Sequence, residues 1–536
     1  MISEIRLFNQ KKVLFVDDKP FYAVAGEVHN SDSSSIEYME EIWKIADELG
    51  LNTLLLPVTW ELTEPIEGEF DFSIPDALID QARANDKKII FLWFGSWKNA
   101  EMMYAPEWVK RDRKRFKRAE IVKGEAKSLR NMGPYTMPYY SLSYLCEETM
   151  YADANAFSKL MRHIKEVDED FGTVIGIQVE NETGLLGNSR EVSDEADLVF
   201  ESSVPAELAL YMRKNTDTMH EDVREAIITS EESGSWSQVF GAVADEVFSS
   251  YHIARYVNYV AEKGMEEYKL PTFANCWLAH KGEKPGQYPS GGPVSRMHDV
   301  WRYCAPAIDV FSPDIYVPDF MDVCDDYLKN QPLFIPEAAT HSYAASRLAY
   351  CIGHYHAMGY SPFGFDDIGK PFTMVQGFLF GMDVNDPALK TPQDFGIYSW
   401  FGKTLSAMMP ILANCYGTSD LQALCAERAS AESVMDFGKI KIAGIFEHPY
   451  LQLGGNGVVL AVKISNEEYF IIGYQAAVSI IPGDAKNFDI LEFEEGKFVD
   501  GCWVRGRRLN GDEGTNFTMT DPQLYRVKIH TYNDEI

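Results

Sequence analysis

Residues 174–184 read Val-Ile-Gly-Ile-Gln-Val-Glu-Asn-Glu-Thr-Gly, an apolar run that stops abruptly at Glu180, Asn181 and Glu182. A second apolar run, Leu333-Phe334-Ile335-Pro336, delivers a single acid, Glu337. A β-branched and aliphatic run without alternation fits a strand buried on both faces, as in a parallel sheet, and polar side chains at its carboxyl end fall where such sheets bind ligands. Acids after a strand are commonly just solvated, but two carboxylates flanking an amide directly after so apolar a run point to chemistry. Two carboxyl groups brought face to face can divide the chemistry between them. One, protonated, gives its proton to a leaving oxygen while the other attacks carbon or activates water.

The elements that must position these acids follow in order along the chain. Phe21–Ala25 is a short apolar strand ending at Gly26-Glu27-Val28-His29. Ile36, Met39, Trp43, Ala46 and Leu49 then recur at helical spacing, with hydroxyls at Ser33–Ser35 to cap the start and Gly50 past the end. Asn52–Pro57 is a second strand, Ser73 opens a helix, and Lys88–Phe94 is a third strand. Asp153 is expected to cap the helix whose inner face is Phe157, Leu160, Met161, Ile164 and Val167, which leads into the fourth strand at 174. Apolar runs at Thr272–Trp277, Ile308–Ser312, Leu333–Pro336 and Ser361–Phe365, separated by helical stretches such as Ala242–Glu266 and Ala344–Met358, complete eight strands. This alternation predicts an α/β chain, a (β/α)8 barrel over 1–418 with long inserts near 100–150 and 183–240. After about Asp420 the chain changes to strand-like runs (Val458–Ile464, Tyr469–Ile481, Phe488–Phe493, Leu524–Tyr532) punctuated by Gly454-Gly455-Asn456-Gly457, Pro482-Gly483-Asp484 and Asn510-Gly511-Asp512, which predicts a smaller antiparallel β-sandwich domain over 419–536.

In such a barrel the strand ends converge on one face. They carry Glu27 and His29, Trp60 and Glu61, Trp97 and Asn99, Glu180 to Glu182, Asn275 and Trp277, Asp314 and Tyr316, Glu337, and Asp366 with Asp367. No Ser/His/Asp set, catalytic lysine or metal cluster stands out, and acids beside aromatic platforms suit a neutral polyhydroxylated ring. Glu182 and Glu337 are the expected catalytic pair, with Asn181, Tyr316, Trp97, Asn99, Asn275, Trp277, Glu27 and Trp60 expected around the substrate.

Composition narrows the partners. The 536 residues hold 49 Lys and Arg against 81 Asp and Glu, a net charge of −32 that repels nucleic acid and anionic membranes. The basic stretch Lys110–Lys123 reads as a solvated face. No G-x-G-x-x-G or Walker signature is present, so neither nucleotide nor other cofactor is expected. His354-Tyr355-His356 lacks nearby carboxylates at ligand spacing, so no metal is expected either. The eight cysteines are scattered without a C-x-x-C pair, as in reduced structural thiols. No apolar segment follows a basic start at the amino terminus and no run approaches the roughly 18 apolar residues of a membrane span, leading to the expectation of a soluble, cytoplasmic protein. An oligosaccharide is the expected partner; a homo-oligomer is left open.

Taken as a set, Gly26-Glu27-Val28-His29, the stretch from Gly50-Leu51-Asn52-Thr53 through Trp60-Glu61 and Glu64-Pro65 to Gly68-Glu69-Phe70-Asp71-Phe72, and Glu180-Asn181-Glu182-Thr183-Gly184 carry a resemblance. The chain resembles the clan A retaining glycosidases that hold an Asn-Glu acid/base on strand four and a Glu nucleophile on strand seven, and within them the family 35 β-galactosidases. The resemblance covers about the first 190 residues by motif and the later strands by order. It implies Glu182 as general acid/base, Glu337 as nucleophile, Asn181 on the sugar 2-hydroxyl and Tyr316 holding the nucleophile, in an exo-glycosidase that releases terminal non-reducing β-galactosyl residues through a covalent intermediate. Glu180, one residue earlier, is expected to point away from both. Two departures stand out: Thr183 replaces the aromatic residue many relatives carry, and Trp93-Phe94-Gly95-Ser96-Trp97-Lys98-Asn99-Ala100-Glu101 replaces their Arg-Pro-Gly-Pro-Tyr-Ile-Cys-Ala-Glu-Trp, a segment that touches the sugar's polar edge. A β-glucosidase, a β-arabinopyranosidase and a non-catalytic carbohydrate-binding barrel are the competing readings.

Overall fold

The structure is a computed structural model and describes residues 3–132, 135–329, 331–373, 376–377, 390–430, 433–499, 501–509 and 517–533. Eight parallel strands close into a barrel in chain order: β1 (Ala23–Glu27), β2 (Thr53–Thr59), β3 (Lys88–Phe94), β4 (Val174–Val179), β5 (Thr272–Trp277), β6 (Val310–Ile315), β7 (Phe334–Ala338) and β8 (Gly359–Pro362). The last strand pairs with the first, Gly359 opposite Ala23. Both faces of each strand are buried, which is why the runs do not alternate in sequence. On β3, for example, Ile90, Leu92 and Phe94 join the barrel interior, while Ile89, Phe91 and Trp93 pack outward under the helices.

The helices form as their periodicity predicts. Ile36–Glu48 starts at Ser35, whose hydroxyl accepts from Tyr38 N, and buries Met39, Ile42, Trp43 and Ala46. Ser73–Ala84, Glu147–Asp168 and Ala244–Glu267 continue the outer ring, and Phe395–Leu412 closes it. Two differences have simple causes. Asp153 is not a cap: its helix begins six residues earlier, at Glu147, and the aspartate is fully buried inside it. An aspartate reads as an N-cap from sequence alone, but here its carboxylate is aimed at the barrel wall. The stretch Ala344–Met358 is helical only to Tyr350 and then widens into a π-helical turn over Cys351–Tyr355. His354 stacks on Tyr350 there, and His356 bonds the backbone at both ring nitrogens, to Leu421 O and from Gly417 N.

A three-stranded antiparallel sheet (Ser3–Phe8, Lys11–Val16, Lys19–Phe21) precedes the barrel, and its Leu14, Val16 and Phe21 join the interior cluster. Beyond the closing helix, a six-stranded and a four-stranded antiparallel sheet share a second core that includes Ile442, Val459, Ile471, Phe493 and Val527. The run Tyr469–Ile481, read as one strand, is two: Glu468–Tyr474 and Ala476–Pro482 lie in different sheets, separated at Gln475 with φ 47°. The run at Phe488–Phe493 extends over Asn487–Val499 and pairs with Cys502–Arg508, a strand that the sequence pattern does not predict. The turn expected at 510–512 lies outside the described residues. A buried Arg347, from the helix after β7, joins the barrel to the β domain by a double hydrogen bond to Glu427. The basic stretch is spent in surface ion pairs, Arg115 with Glu67 and Glu148 and Lys123 with Asp194 and Asp197. Among the described residues no helix is long and apolar enough to cross a membrane.

Candidate active site

The carboxyl ends of β1, β3, β4, β5, β6 and β7 deliver one connected group of polar side chains. Asp314 and Glu337 face each other across β6 and β7 in register, and Trp277 is in register with Asp314 on β5. Glu182, Asp314 and Glu337 each place a carboxylate oxygen within 4.8 Å of one on each of the others. All three are buried, as are Glu27, Lys98, Asn181 and Asn275.

Each member is held by a specific contact. Tyr316 donates to Glu337 Oε2 at 2.7 Å, while Asn181 Nδ2 and Asn275 Nδ2 approach Glu337 Oε1 at 3.4 and 3.5 Å. Asn275 also donates to Asp314 Oδ2 at 2.7 Å and accepts from the backbone N–H of Glu182 at 2.9 Å. That second bond fixes an unusual backbone: Glu180 and Glu182 have φ of 64° and 46°, the left-handed region that side chains other than glycine rarely adopt. Such conformations cost about 1–3 kcal/mol each and persist where surrounding contacts over-determine them.

The strand-three loop supplies the rest. Lys98, side chain 2 % exposed, donates to Asn181 Oδ1 at 2.9 Å, lies 3.9 Å from Glu337 Oε1, and sits over the Phe94 ring at 4.9 Å. The loop is anchored from behind by two buried acids. Glu180 accepts from Trp97 N at 2.8 Å, and Asp153 accepts from Ser96 N at 3.1 Å and from Trp93 Nε1 at 2.9 Å. Gly95 must be glycine here, because a Cβ would fall 2.6 Å from Asp153 Oδ1 and 2.7 Å from Glu180 Oε1.

Burial and mutual repulsion set the charge state. Burial first, then Glu337, raises the pKa of Glu27 and of Asp314 well above the usual carboxylate range, and Glu182 adds to both. Burial works against the charge of Lys98, but Glu337, Glu182, Glu27 and Asp314 together hold its ammonium above the ordinary lysine value. Behind the loop, burial and then Asp153 raise the pKa of Glu180 well above the usual carboxylate range. Burial and the neighbouring carboxyls thus shift Glu27 and Asp314 toward their protonated forms, while Lys98 is held as a cation. Among the described residues neither carboxyl oxygen of Glu27 has a hydrogen-bond partner.

Two sets of donors are close enough to share a cation: Glu182, Asp314 and Glu337, and, at the rim, His29 with Asp366 and Asp367. In each, an ammonium already supplies the positive charge, Lys98 in the first and Lys370 in the second, so neither is read as a metal site.

Comparison with known proteins adds little chemistry. Residues 403–519 match the model of a domain of unknown function (DUF5597). No curated protein matches the chain. Among solved structures, a β-galactosidase from Bacillus circulans sp. alkalophilus is similar over 73 % of this chain and 57 % of its own, at 14 % identity and a TM-score of 0.44. A β-galactosidase from the psychrophilic Marinomonas ef1 is similar over 74 % and 60 %, at 12 % identity and 0.45. The exo-β-1,4-mannosidase Op5Man5 from Opitutaceae bacterium strain TAV5 follows over 76 % and 62 %, at 13 % identity and 0.40. The chain therefore spans less than two thirds of the length of these relatives, and the barrel assignment rests on its own strand pairing.

Of the residues expected from sequence, the structure brings Glu27, Asn181, Glu182, Asn275, Tyr316 and Glu337 together. Trp277 stands at the edge, packed with Ala100, Tyr139 and Leu186. Asn99 lies in the adjoining turn with φ 54°. Trp97 and Trp60 are elsewhere: Trp97 is edge-on to Tyr256 of the outer helix, and Trp60 bonds Glu64 and packs against Trp108. Lys98 and the contact role of Asp314 were not foreseen. A lone lysine after an apolar strand reads as surface, since lysines are almost never fully buried unless paired; the signal available was its place at a strand end among uncharged neighbours.

Proposed function

We propose that this chain is a retaining exo-acting β-glycosidase. The observation that carries the reading is the facing pair Glu182 and Glu337, each with an oxygen within 4.8 Å of the other's, enclosed at the mouth of a closed barrel. Retaining glycosidases hold their two carboxyl groups about 5–5.5 Å apart, whereas inverting ones leave roughly 6.5–9.5 Å for a water. Glu337, gripped by Tyr316, attacks the anomeric carbon while Glu182 protonates the departing oxygen. Glu182 then takes a proton from water, which attacks the same carbon and frees Glu337. Asn181 and the buried Glu27, whose carboxyl oxygens have no hydrogen-bond partner among the described residues, are groups that sugar hydroxyls would satisfy. The enclosed, largely buried site favours removal of a terminal residue over cleavage within a chain. By the resemblance above, β-galactosides of oligosaccharides are the first substrates to test, with β-glucosides and β-arabinopyranosides beside them because the strand-three segment is its own.

Hydrolysis of a panel of nitrophenyl glycosides, with the anomer of the released sugar followed by NMR, tests this directly. Release of the β-anomer first from one β-glycoside supports it, and the α-anomer first, or sugar binding without hydrolysis across the panel, overturns it. Glu337→Ala should abolish turnover, and Glu182→Ala should be partly rescued by azide on activated aryl glycosides.

A further inference from the structure

Lys98 stands where four carboxyl groups meet and nothing in the expected chemistry employs it. Its ammonium faces Glu337, Glu182, Glu27 and Asp314, with the rings of Phe94 and Phe363 4.9 and 5.9 Å away and Asn181 Oδ1 at 2.9 Å. A lysine ammonium has donors only, so the Asn181 atom it touches must be the carbonyl oxygen. That choice turns Asn181 Nδ2 toward Glu337 Oε1, where it lies at 3.4 Å. Without the ammonium, the amide could flip and set its carbonyl against the carboxylate.

We propose that Lys98 is a positioning residue of this centre: it fixes the orientation of the Asn181 amide and supplies the countercharge that lets Glu182, Asp314, Glu27 and Glu337 share one enclosed space. The loop geometry serves this end. Trp97 N bonds Glu180 and Ser96 N bonds Asp153, so the two acids behind the wall hold the backbone on the Lys98 amino-terminal side. On its other side, Lys98 N donates to Glu101 O, and Ala100 N donates to Glu182 O, which ties the lysine loop to the proposed acid/base itself. Burial alone disfavours the ammonium, and the surrounding carboxyls outweigh that effect, as expected of a charge that is there to balance others.

Three variants separate the two parts. Lys98→Met removes both donor and charge, Lys98→Gln keeps a donor for Asn181 without charge, and Lys98→Arg keeps the charge. The kinetic arm rests on the glycosidase reading. Lys98→Met should lower kcat/KM at least about 100-fold, Lys98→Gln should recover part of it, and in both the acidic limb of the kcat/KM profile should move to higher pH, whereas Lys98→Arg leaves the limb in place. The second arm needs no activity. A cluster stripped of its cation binds protons more tightly when folded than when unfolded, so its stability falls as pH rises. The Tm deficit of Lys98→Met against the wild type should therefore widen between about pH 5 and about pH 8. A constant deficit across that range, or wild-type kinetics in Lys98→Met, would overturn the proposal. If the wild type hydrolyses no glycoside, the glycosidase reading fails while the Tm arm still decides the countercharge role.

Discussion

Replacing Tyr316 by phenylalanine removes one oxygen and tests how Glu337 is held. Among the described residues, Tyr316 gives Glu337 its one short hydrogen bond, 2.7 Å, against 3.4 and 3.5 Å from the two asparagines. Burial first, then the Glu337 charge, pushes the Tyr316 phenol well above its usual range, so it remains a donor at all working pH values. A hydrogen bond to an ionised acceptor contributes about 1.5–3 kcal/mol, which converts to roughly 10- to 150-fold in rate. The effect should not be even across the reaction. In the proposed reaction Glu337 loses its charge as the glycosyl-enzyme forms and regains it as that intermediate breaks down, so the phenol would assist the second step, in which the carboxylate leaves. With an activated aryl glycoside, kcat of Tyr316→Phe should fall by the full factor, KM should fall with it, and a pre-steady-state burst should appear or grow. With a poor leaving group, kcat/KM should change less. Stopped-flow release of the phenol measures both. A kcat within about threefold of wild type, or an equal loss for every leaving group without a burst, would show that Tyr316 does not act through Glu337.

Asn275→Ala removes the partner of Asp314 and of the Glu182 N–H together; it should cost about 2–4 kcal/mol in denaturant unfolding and lower kcat/KM more than Tyr316→Phe, since the left-handed Glu182 backbone loses its restraint. Glu180→Gln keeps an acceptor for Trp97 N and should change stability by less than about 1 kcal/mol, whereas Glu180→Ala orphans a buried donor and should cost about 2–3 kcal/mol. Glu191 is held by Ser143 and Ser193, and burial, partly offset by those bonds, pushes its pKa up to about 7. A group raised in the folded state holds its proton there more tightly, so its contribution falls as pH rises from the unfolded carboxylate value through about 7. Glu191→Gln should therefore gain on the wild type by up to about 3 kcal/mol between about pH 5 and about pH 8, read as the difference in unfolding free energy; a pH-independent difference would contradict it.

The barrel was legible because fully buried strands announce themselves as unbroken apolar runs, and Lys88–Phe94 and Thr272–Trp277 agree with the sequence pattern to the residue. The convergence of Glu182, Glu337, Asn275 and Tyr316 followed once the strands were in order, since a parallel barrel brings every strand end to one rim. Side-chain direction past the strand ends was not legible. Trp97 and Lys98 are adjacent, yet the tryptophan packs outward on Tyr256 and the lysine inward on Asn181, a choice set by how Glu180 and Asp153 bond the loop behind them. The β domain was legible as a class rather than in detail, because short antiparallel strands change sheet at single residues such as Gln475 without a compositional break.

The proposed reaction stands on Glu337 forming a bond to sugar opposite Glu182. Incubation with an activated 2-deoxy-2-fluoro-β-glycoside of the preferred sugar, followed by peptide mass mapping, reads that bond without intermediary. Stoichiometric inactivation is expected, with one glycosyl ester on Glu337 that Glu337→Gln prevents. A label on another acid of the cluster, or steady hydrolysis with no label, would mean that Glu337 is not the nucleophile.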